Sequence, residues 1–198
     1  MLEKTAKSTV KRTAKRASYD TKDLYPLIDD LKMAHVCFIQ EGSPFSIPML
    51  IWRIEDSVYI HGSRGSRLMK QLAKGKDVCL SFAEMNGWVM SKTAFHHSAN
   101  YRSAVLFGQF EEVTNEQDQL HAYKLFVDQL EEGRWSQIKT PDEHELKATT
   151  LLKMNICEGA VKIRTGGPND DEQDMIYPAW TGEIPLKKTW GAPIKIES

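Results

Sequence analysis

The stretch SVYIHGSRGSRLMKQLAKGKDVCLSFAE, residues 57–84, sets the pattern from which we predict the fold. Residues 57–61 and 77–84 are apolar, strand-like runs, and the first of them ends in a glycine-bearing turn. Between these runs, Leu68 and Leu72 stand among basic residues at a spacing that predicts a short helix over residues 66–74. Two short strands therefore flank one short helix.

The same mixture of short strands and turns continues outward from this stretch. Before it, apolar residues from Leu24 to Leu31 recur at helical spacing, with Asp20 or Thr21 as the N-cap. Pro26 falls within the first turns of that helix, where proline is tolerated. Further strands are predicted over residues 35–40, 45–53, 88–93, 101–113, 149–155 and 160–164.

The second half of the chain adds two helices. Residues 115–130 follow a helical period after a capping signal at residues 114–117, and another helix begins near Pro141 with Thr140 as its cap. Residues 165–174 are rich in Gly, Pro, Asn and Asp and predict a loop. Six or seven short strands with a few helices predict an α+β, mainly β, fold: a small antiparallel barrel flanked by helices rather than a doubly wound parallel sheet.

Length and charge fit one domain with short extensions. The chain has 198 residues, a net charge of −1 and a pI of about 6.6. We divide it into a basic N-terminal tail (1–17), a domain (18–187) and a C-terminal tail (188–198). We expect a cytoplasmic protein without a nucleic-acid or membrane partner, because no apolar run approaches the roughly 18 residues that span a bilayer and no secretory signal is present.

The N-terminal tail carries the clearest concentration of positive charge. We interpret it as a solvated segment that docks on a partner subunit, while a nucleic-acid arm and a mitochondrial presequence remain open alternatives. Its basic residues are Lys4, Lys7, Lys11, Arg12, Lys15 and Arg16.

The three cysteines, Cys37, Cys79 and Cys157, match no metal-binding spacing. Cys37 and Cys79 lie inside apolar, strand-like runs. We therefore interpret the cysteines as small buried hydrophobic residues of a protein from a reducing compartment.

The turn HGSRGSR, residues 61–67, is the first candidate binding site. A strand ends in this turn, and the turn leads into a short helix whose free backbone N–H groups suit an anion. Hydroxyl groups at Ser63 and Ser66 and the charges of Arg64, Arg67 and Lys70 suit a phosphate. An ordinary polar turn is the open alternative, since the glycine spacing matches neither a Walker loop nor a dinucleotide fingerprint.

The strand SIPMLIW, residues 46–52, is the second candidate. Proline inside a strand indicates an edge or a bulge, so that backbone groups near Pro48 are free to bond a flat apolar ligand. A core strand with an edge proline is the alternative.

The third candidate is HHSANYRS, residues 96–103. Neighbouring residues of a strand point to opposite faces, so His96 and His97 are not expected to share a metal ion. Arg102 and Ser103 begin a long strand and could reach a phosphate or a ribityl chain. Trp180, beside flexible residues, suits either interface packing or stacking on a planar ligand, as does Trp135.

Taken in order, these segments resemble the flavin-nucleotide-binding branch of the pyridoxamine 5'-phosphate oxidase family. The resemblance covers roughly residues 16–187. It is carried by RASYD (16–20), IP (47–48), YIHGS (59–63) with SR (66–67), FHHSANYRSAVLFG (95–108), GRW (133–135), VKIRTGGP (161–168) and AWTGEIPL (179–186).

The resemblance implies a split β-barrel of the FMN-binding type, with FMN rather than FAD at the interface of a homodimer. The strand Pro48, Met49, Leu50 and Ile51 would line the isoalloxazine ring. Ser103 matches a flavin-contacting position, and Trp180 of the partner subunit would close the site. The groups that would hold ribityl and phosphate are those of His61, Gly62, Ser66, Arg67 and Lys70.

The chain departs from the true oxidase in two places. The strand 47–52 lacks the oxidase's run of basic residues, and the C-terminal arginine and histidine that hold pyridoxamine phosphate have no counterpart in residues 187–198. Pyridoxamine phosphate oxidation is therefore not predicted. We expect a flavin-dependent oxidoreductase acting on a small molecule or electron donor, with a non-catalytic flavin-binding or flavin-sensing protein, or a haem-binding relative that uses exposed His96 or His97, as alternatives.

Overall fold

The computed structural model describes residues 1–196, so that Glu197 and Ser198, the end of the predicted C-terminal tail, lie outside the described residues. The chain forms two compact units. Among the described residues, the first unit comprises 1–83 and 103–162, and the second comprises 84–102 and 163–196.

Short strands dominate the described chain, as the sequence predicts. The strands are β1 (Ala17–Ser18), β2 (Met33–Gln40), β3 (Ser43–Leu50), β4 (Trp52–Ile54), β5 (Ser57–Ser63), β6 (Asp77–Met90), β7 (Ser98–Gln109), β8 (Glu111–Glu112), β9 (Thr149–Asn155), β10 (Glu158–Arg164) and β11 (Gly182–Pro185). The α-helices are α1 (Thr21–Leu31), α2 (Arg67–Leu72), α3 (Glu116–Leu130) and α4 (Glu143–Ala148), and short 3-10 helices cover Ala14–Arg16, Ala94–His96, Arg134–Gln137 and Glu172–Ile176.

The first unit contains two antiparallel sheets. One has the order β1-β10-β7-β6-β2-β3, and the other has the order β4-β5-β9-β8. Strand β3 stands at the end of the larger sheet, which confirms the edge position that Pro48 predicts. Strands β6 and β7 continue into the second unit, where β11 pairs with β6.

Alternating burial fixes which face of the larger sheet packs inward. Along β2, Ala34, Val36 and Phe38 are buried, whereas His35 is exposed and Cys37 is partly exposed. This period of two is what a strand with one covered face requires. On the smaller sheet, helix α3 packs over Trp52, which is 1% exposed and belongs to a buried cluster with Tyr123 and Leu151.

Local capping explains where the helices begin. Asp20 caps α1 by accepting the backbone N–H of Lys22, as predicted. Asn115, which lies within the predicted capping signal, caps α3 by accepting the backbone N–H of Asp118. The prediction of Thr140 as the cap of the last helix is wrong. Helix α4 begins later, because Asp142 and Glu145 form a reciprocal capping box that satisfies the first free N–H groups.

The prediction of two separate strands over residues 77–84 and 88–93 is also wrong, because β6 runs unbroken from Asp77 to Met90. The Asn86-Gly87 pair reads as a turn but lies within the strand. A Cβ at Gly87 would stand 2.5 Å from the Ile184 carbonyl oxygen, so the glycine allows β11 to approach.

Part of the N-terminal segment packs on the rest of the chain. Leu2 is 5% exposed and donates its N–H to the Tyr19 carbonyl oxygen, and Ser8 is buried. The Lys7 ammonium lies 3.1 Å from a Glu158 carboxylate oxygen and 4.7 Å from the centre of a ring on β7. The basic residues of the segment nevertheless stay largely at the surface, with Lys4, Lys7, Lys11, Arg12 and Lys15 exposed. None of the helices within residues 1–196 is long and apolar enough to cross a membrane.

Gly159 on β10 provides a test of the close packing between β10 and its neighbour β7. An added Cβ would lie 2.5 Å from the Val105 carbonyl oxygen and 2.7 Å from a Leu106 methyl carbon. We expect Gly159→Ala to lower the free energy of unfolding by about 1–3 kcal/mol, because the backbone of β7 must move. Thermal melting should show this against Gly167→Ala, where nothing lies within 4 Å of the added carbon. Equal melting temperatures would contradict the close approach of the strands.

Candidate functional site

The turn after β5 is tight and locally ordered. The Ser63 hydroxyl oxygen accepts the Gly65 N–H at 3.2 Å, and the Ser63 carbonyl accepts the Ser66 N–H at 2.9 Å. Helix α2 then begins at Arg67, and the Ser66 hydroxyl forms no capping bond to it. The turn therefore presents the Ser66 hydroxyl at the start of a helix, as the sequence predicts.

The basic residues around this turn divide into two groups. The Arg64 guanidinium is 2.8 Å from a Glu112 carboxylate oxygen and also bonds the Lys147 carbonyl, so its charge is already compensated. In contrast, neither Arg67 nor Lys70 forms an ion pair with any residue between 1 and 196. Two uncompensated positive charges therefore remain beside the turn.

Arg67 connects the turn with the edge strand. Its guanidinium carbon lies 4.8 Å from the centre of the Phe45 ring on β3, and Phe45 stacks on Phe38 of β2. A cation over an aromatic face is stabilised by the ring's quadrupole. The structure thus brings together the predicted phosphate-binding turn and the predicted isoalloxazine-lining strand.

The four predicted residues of that strand are not equivalent. Pro48 and Leu50 are exposed, and Met49 is partly exposed. Ile51 is 0% exposed and its N–H donates to the Lys32 carbonyl, so neither its side chain nor its donor is available to a ligand.

His61 and Gly62 differ in their surroundings from the rest of the turn. Gly62 packs on α2, where an added Cβ would lie 2.9 Å from the Met69 side chain. The His61 ring lies among aromatic rings, 5.6 Å from Trp52, 5.8 Å from Tyr123 and 5.9 Å from Phe126. His61 therefore faces the α3 side of the smaller sheet.

The His61 side chain is partly buried among these aromatic rings. Its Nδ1 atom has no hydrogen-bond partner within residues 1–196. Burial lowers the pKa of His61 from its ordinary value, so the ring is neutral at pH 7 and keeps a free lone pair. A buried neutral imidazole with an unpaired nitrogen is suited to bind a metal centre.

A cavity of about 420 Å³ opens beside His61, a volume within the range of small-molecule and cofactor sites. The sequence does not predict this cavity, because the residues that line it come from distant segments of the chain. The available signal was the aromatic pair Tyr123 and Phe126, three residues apart on the predicted helix. The cavity is lined by His61, Tyr123, Phe126, Trp135, Ile138 and Leu146, among others.

The remaining predicted site residues lie in separate places. Ser103 is in the middle of β7 rather than at its start, and its hydroxyl donates to the Lys162 carbonyl at 3.3 Å. Trp180 belongs to the second unit and is 59% exposed. In the same unit, a ring nitrogen of His97 lies 2.8 Å from the Thr93 carbonyl oxygen, and His96 lies 3.9 Å from Asp171. No cluster of three metal-ligating side chains occurs in the part of the chain that the structure describes.

The cysteines are less buried than the sequence predicts. All three are free thiols, Cys157 is exposed, and Cys37 and Cys79 are partly exposed. The prediction of burial is therefore wrong for Cys157, which lies in the loop between β9 and β10.

Comparison with known proteins identifies the family. The family model described as pyridoxamine 5'-phosphate oxidase matches residues 20–163, most of the chain. The chain belongs to the pyridoxamine 5'-phosphate oxidase family. This confirms the predicted α+β, mainly antiparallel split-barrel fold. A search of curated proteins gives no match.

Two solved structures are similar to this family member over nearly the whole chain. The flavocytochrome Anf3 from Azotobacter vinelandii is 34% identical, with 96% of this chain and 89% of that chain covered and a TM-score of 0.91. The FAD and haem binding protein from Mycobacterium smegmatis is 30% identical, with 91% and 89% covered and a TM-score of 0.87.

Proposed function

We propose that the chain is a cytoplasmic flavoprotein that uses a bound flavin nucleotide in oxidation–reduction. The flavin would supply the redox chemistry, and the protein would hold and orient it. The observation that carries this proposal is the pair of uncompensated charges, Arg67 and Lys70, at a turn that contacts the edge strand β3. The names of the two similar proteins, a flavocytochrome and an FAD and haem binding protein, support the same ligand class.

The flavin phosphate would be bound by the turn. The Ser66 hydroxyl and the Arg67 guanidinium are the donors that remain available there, with Lys70 as a further cation. Charge-assisted hydrogen bonds to phosphate are the strongest contacts that such a site can offer. Arg64 is left out of the site, because Glu112 already compensates its charge.

The isoalloxazine ring would lie along β3, with Pro48 and Leu50 available through their side chains and Met49 partly so. A single phosphate-binding turn predicts FMN, whereas the name of the M. smegmatis relative favours FAD. The mass of the released flavin decides between the two forms.

The flavin site would be completed by a second copy of the chain. At one end of the β2–β3 pair, Met33 and Leu50 lie directly opposite each other and are each 51% exposed. Exposed apolar side chains grouped in this way mark an interaction site. Trp180 of the partner subunit would cover the flavin in this homodimer.

The direct test is the absorption spectrum and mass of the ligand that copurifies with the protein. We expect an oxidised-flavin spectrum, a released flavin with the mass of FMN or FAD, and a light-scattering mass of two chains. Protein without flavin, whose melting temperature does not rise with added FMN or FAD, would contradict the proposal. Loss of the oxidised-flavin absorbance when NADH or NADPH is added without oxygen would support an oxidoreductase. A flavin that stays oxidised with every donor would support a binding or sensing protein.

Haem binding is a second candidate function, and it is favoured by the cavity beside His61. The cavity is largely apolar, the His61 ring is neutral, and its Nδ1 atom is unpaired within residues 1–196. A neutral imidazole is the usual proximal ligand of haem iron. We therefore assign the ligand role to His61, in place of the two candidates from the sequence, His96, which is partly exposed, and His97, which is exposed.

The test of haem binding is a titration of the flavin-loaded protein with haemin. We expect a sharp Soret band that saturates at one haem per chain. A broad spectrum that does not saturate, as for free or non-specifically bound haemin, would contradict this second function and leave the flavin proposal intact.

A further inference from the structure

Two of the three cysteines lie directly opposite each other on neighbouring strands. In the antiparallel register of β2 and β6, Cys37 pairs with Cys79, after the pairs His35 with Ser81 and Val36 with Leu80. Cys37 and Cys79 are 42 positions apart in the chain, so the sheet alone brings them together.

The geometry of this pair suits a covalent bond. Directly opposed residues of an antiparallel pair have Cα atoms about 4.5 or 5.5 Å apart, according to their position in the ladder. A disulfide accepts Cα separations of about 4.4–6.8 Å. Both of these Cα–Cα distances fall within the range of a disulfide. The strands therefore need not separate or shift register for the bond to form.

Both thiols are accessible from the outer face of the sheet. Cys37 and Cys79 are partly exposed, whereas their chain neighbours Val36 and Leu80 are fully buried on the opposite face. The Cys37 sulfur also lies 3.5 Å from the Ser46 hydroxyl on β3. The pair therefore lies on the same face of the sheet as the exposed edge-strand residues, outside the core.

We propose that Cys37 and Cys79 form a reversible dithiol–disulfide site that is oxidised by small disulfides of the glutathione type. One thiol, deprotonated, attacks the small disulfide, forms a mixed disulfide and releases one small thiol. The second cysteine then attacks the protein sulfur of the mixed disulfide and releases the second small thiol. In sum, two protein thiols are oxidised to one disulfide, and one small disulfide is reduced to two thiols.

The order of attack follows from the surroundings of the two sulfurs. Burial, together with the neighbouring Cys37, raises the pKa of the Cys79 thiol to about 11, so Cys79 is protonated at neutral pH. Cys37 is therefore the residue that attacks first, and Cys79 resolves the mixed disulfide from its position directly across the ladder. The resulting bond would tie β2 to β6 and so fix the strand that carries the edge strand β3.

The experiment uses the full-length protein, incubated with oxidised glutathione and then alkylated with N-ethylmaleimide before mass spectrometry. We expect one alkylated thiol instead of three, a protein lighter by two hydrogen atoms before alkylation, and a digest peptide that links Cys37 with Cys79. Dithiothreitol should restore three reactive thiols. Cys157→Ser is the matched control, and its Cys37–Cys79 bond should form unchanged.

Single variants of the pair distinguish the site from general thiol oxidation. Cys37→Ser and Cys79→Ser should each lose the internal bond, and Cys79→Ser should stop at a glutathione adduct on Cys37. Cys37→Ala and Cys79→Ala repeat the measurement with side chains that leave no hydroxyl in the sheet, and their circular dichroism spectra check folding. Three alkylated thiols after oxidation of the wild-type protein, a bond that includes Cys157, or a link between chains on a non-reducing gel would each overturn the proposal.

Discussion

Arg67→Ala is expected to raise the dissociation constant for the flavin roughly 10- to 150-fold. The Arg67 charge has no carboxylate partner within residues 1–196, so its full strength is available to a phosphate. A hydrogen bond to a charged group contributes about 1.5–3 kcal/mol, which corresponds to this range of affinity. Titration of the flavin-free protein, followed by quenching of flavin fluorescence, measures the effect.

Arg64→Ala is the matched control for this prediction. The two arginines are three positions apart, but Arg64 is held by Glu112 and by the Lys147 carbonyl. We expect its replacement to change flavin affinity by less than about twofold, because this exposed ion pair contributes little to the site. Equal effects of the two substitutions, or an unchanged affinity in Arg67→Ala, would remove Arg67 from the phosphate site.

His61→Ala is expected to abolish the Soret band that one equivalent of haemin produces with the wild-type protein. The substitution removes the imidazole of a residue that lines the cavity and leaves the aromatic walls in place. Added imidazole should therefore enter the space and restore part of the Soret absorbance. This rescue separates the loss of an iron ligand from a general collapse of the cavity.

Two control substitutions make this prediction specific. His96→Ala and His97→Ala should bind haemin as the wild-type protein does, because neither histidine is among the residues that line the cavity. The flavin affinity of His61→Ala tests whether His61 contacts the flavin. The family resemblance assigns His61 to the ribityl and phosphate groups. The aromatic contacts of His61 instead predict that flavin binding survives. A Soret band of full height in His61→Ala would exclude His61 as the ligand.

Features of the fold that depend on neighbouring residues could be predicted from the sequence. The caps at Asp20 and Asn115 are examples, because a capping side chain bonds an N–H only a few residues away. The edge position of β3 was also predictable, since Pro48 cannot donate to a central ladder. The continuity of β6 through Gly87 was not, because its cause is β11, almost a hundred residues later.

The same distinction between local and long-range contacts applies to the candidate site. The turn with Ser66 and Arg67 is a local motif, so its chemistry can be read from consecutive residues. The surroundings of His61 are set by α3, which packs on the smaller sheet from a position some sixty residues away, and no local pattern shows this contact. The opposition of Cys37 and Cys79 likewise exists only once the register of β2 and β6 is known.

The prolines of β3 have a consequence for how copies of the chain can associate. Pro44 and Pro48 both lie on this terminal strand, four positions apart, and therefore present their backbone to the same side. Their missing N–H groups interrupt the row of donors that an incoming strand would need. In the proposed homodimer, the second copy would therefore associate through side-chain contacts, because the addition of a strand at this edge is disfavoured.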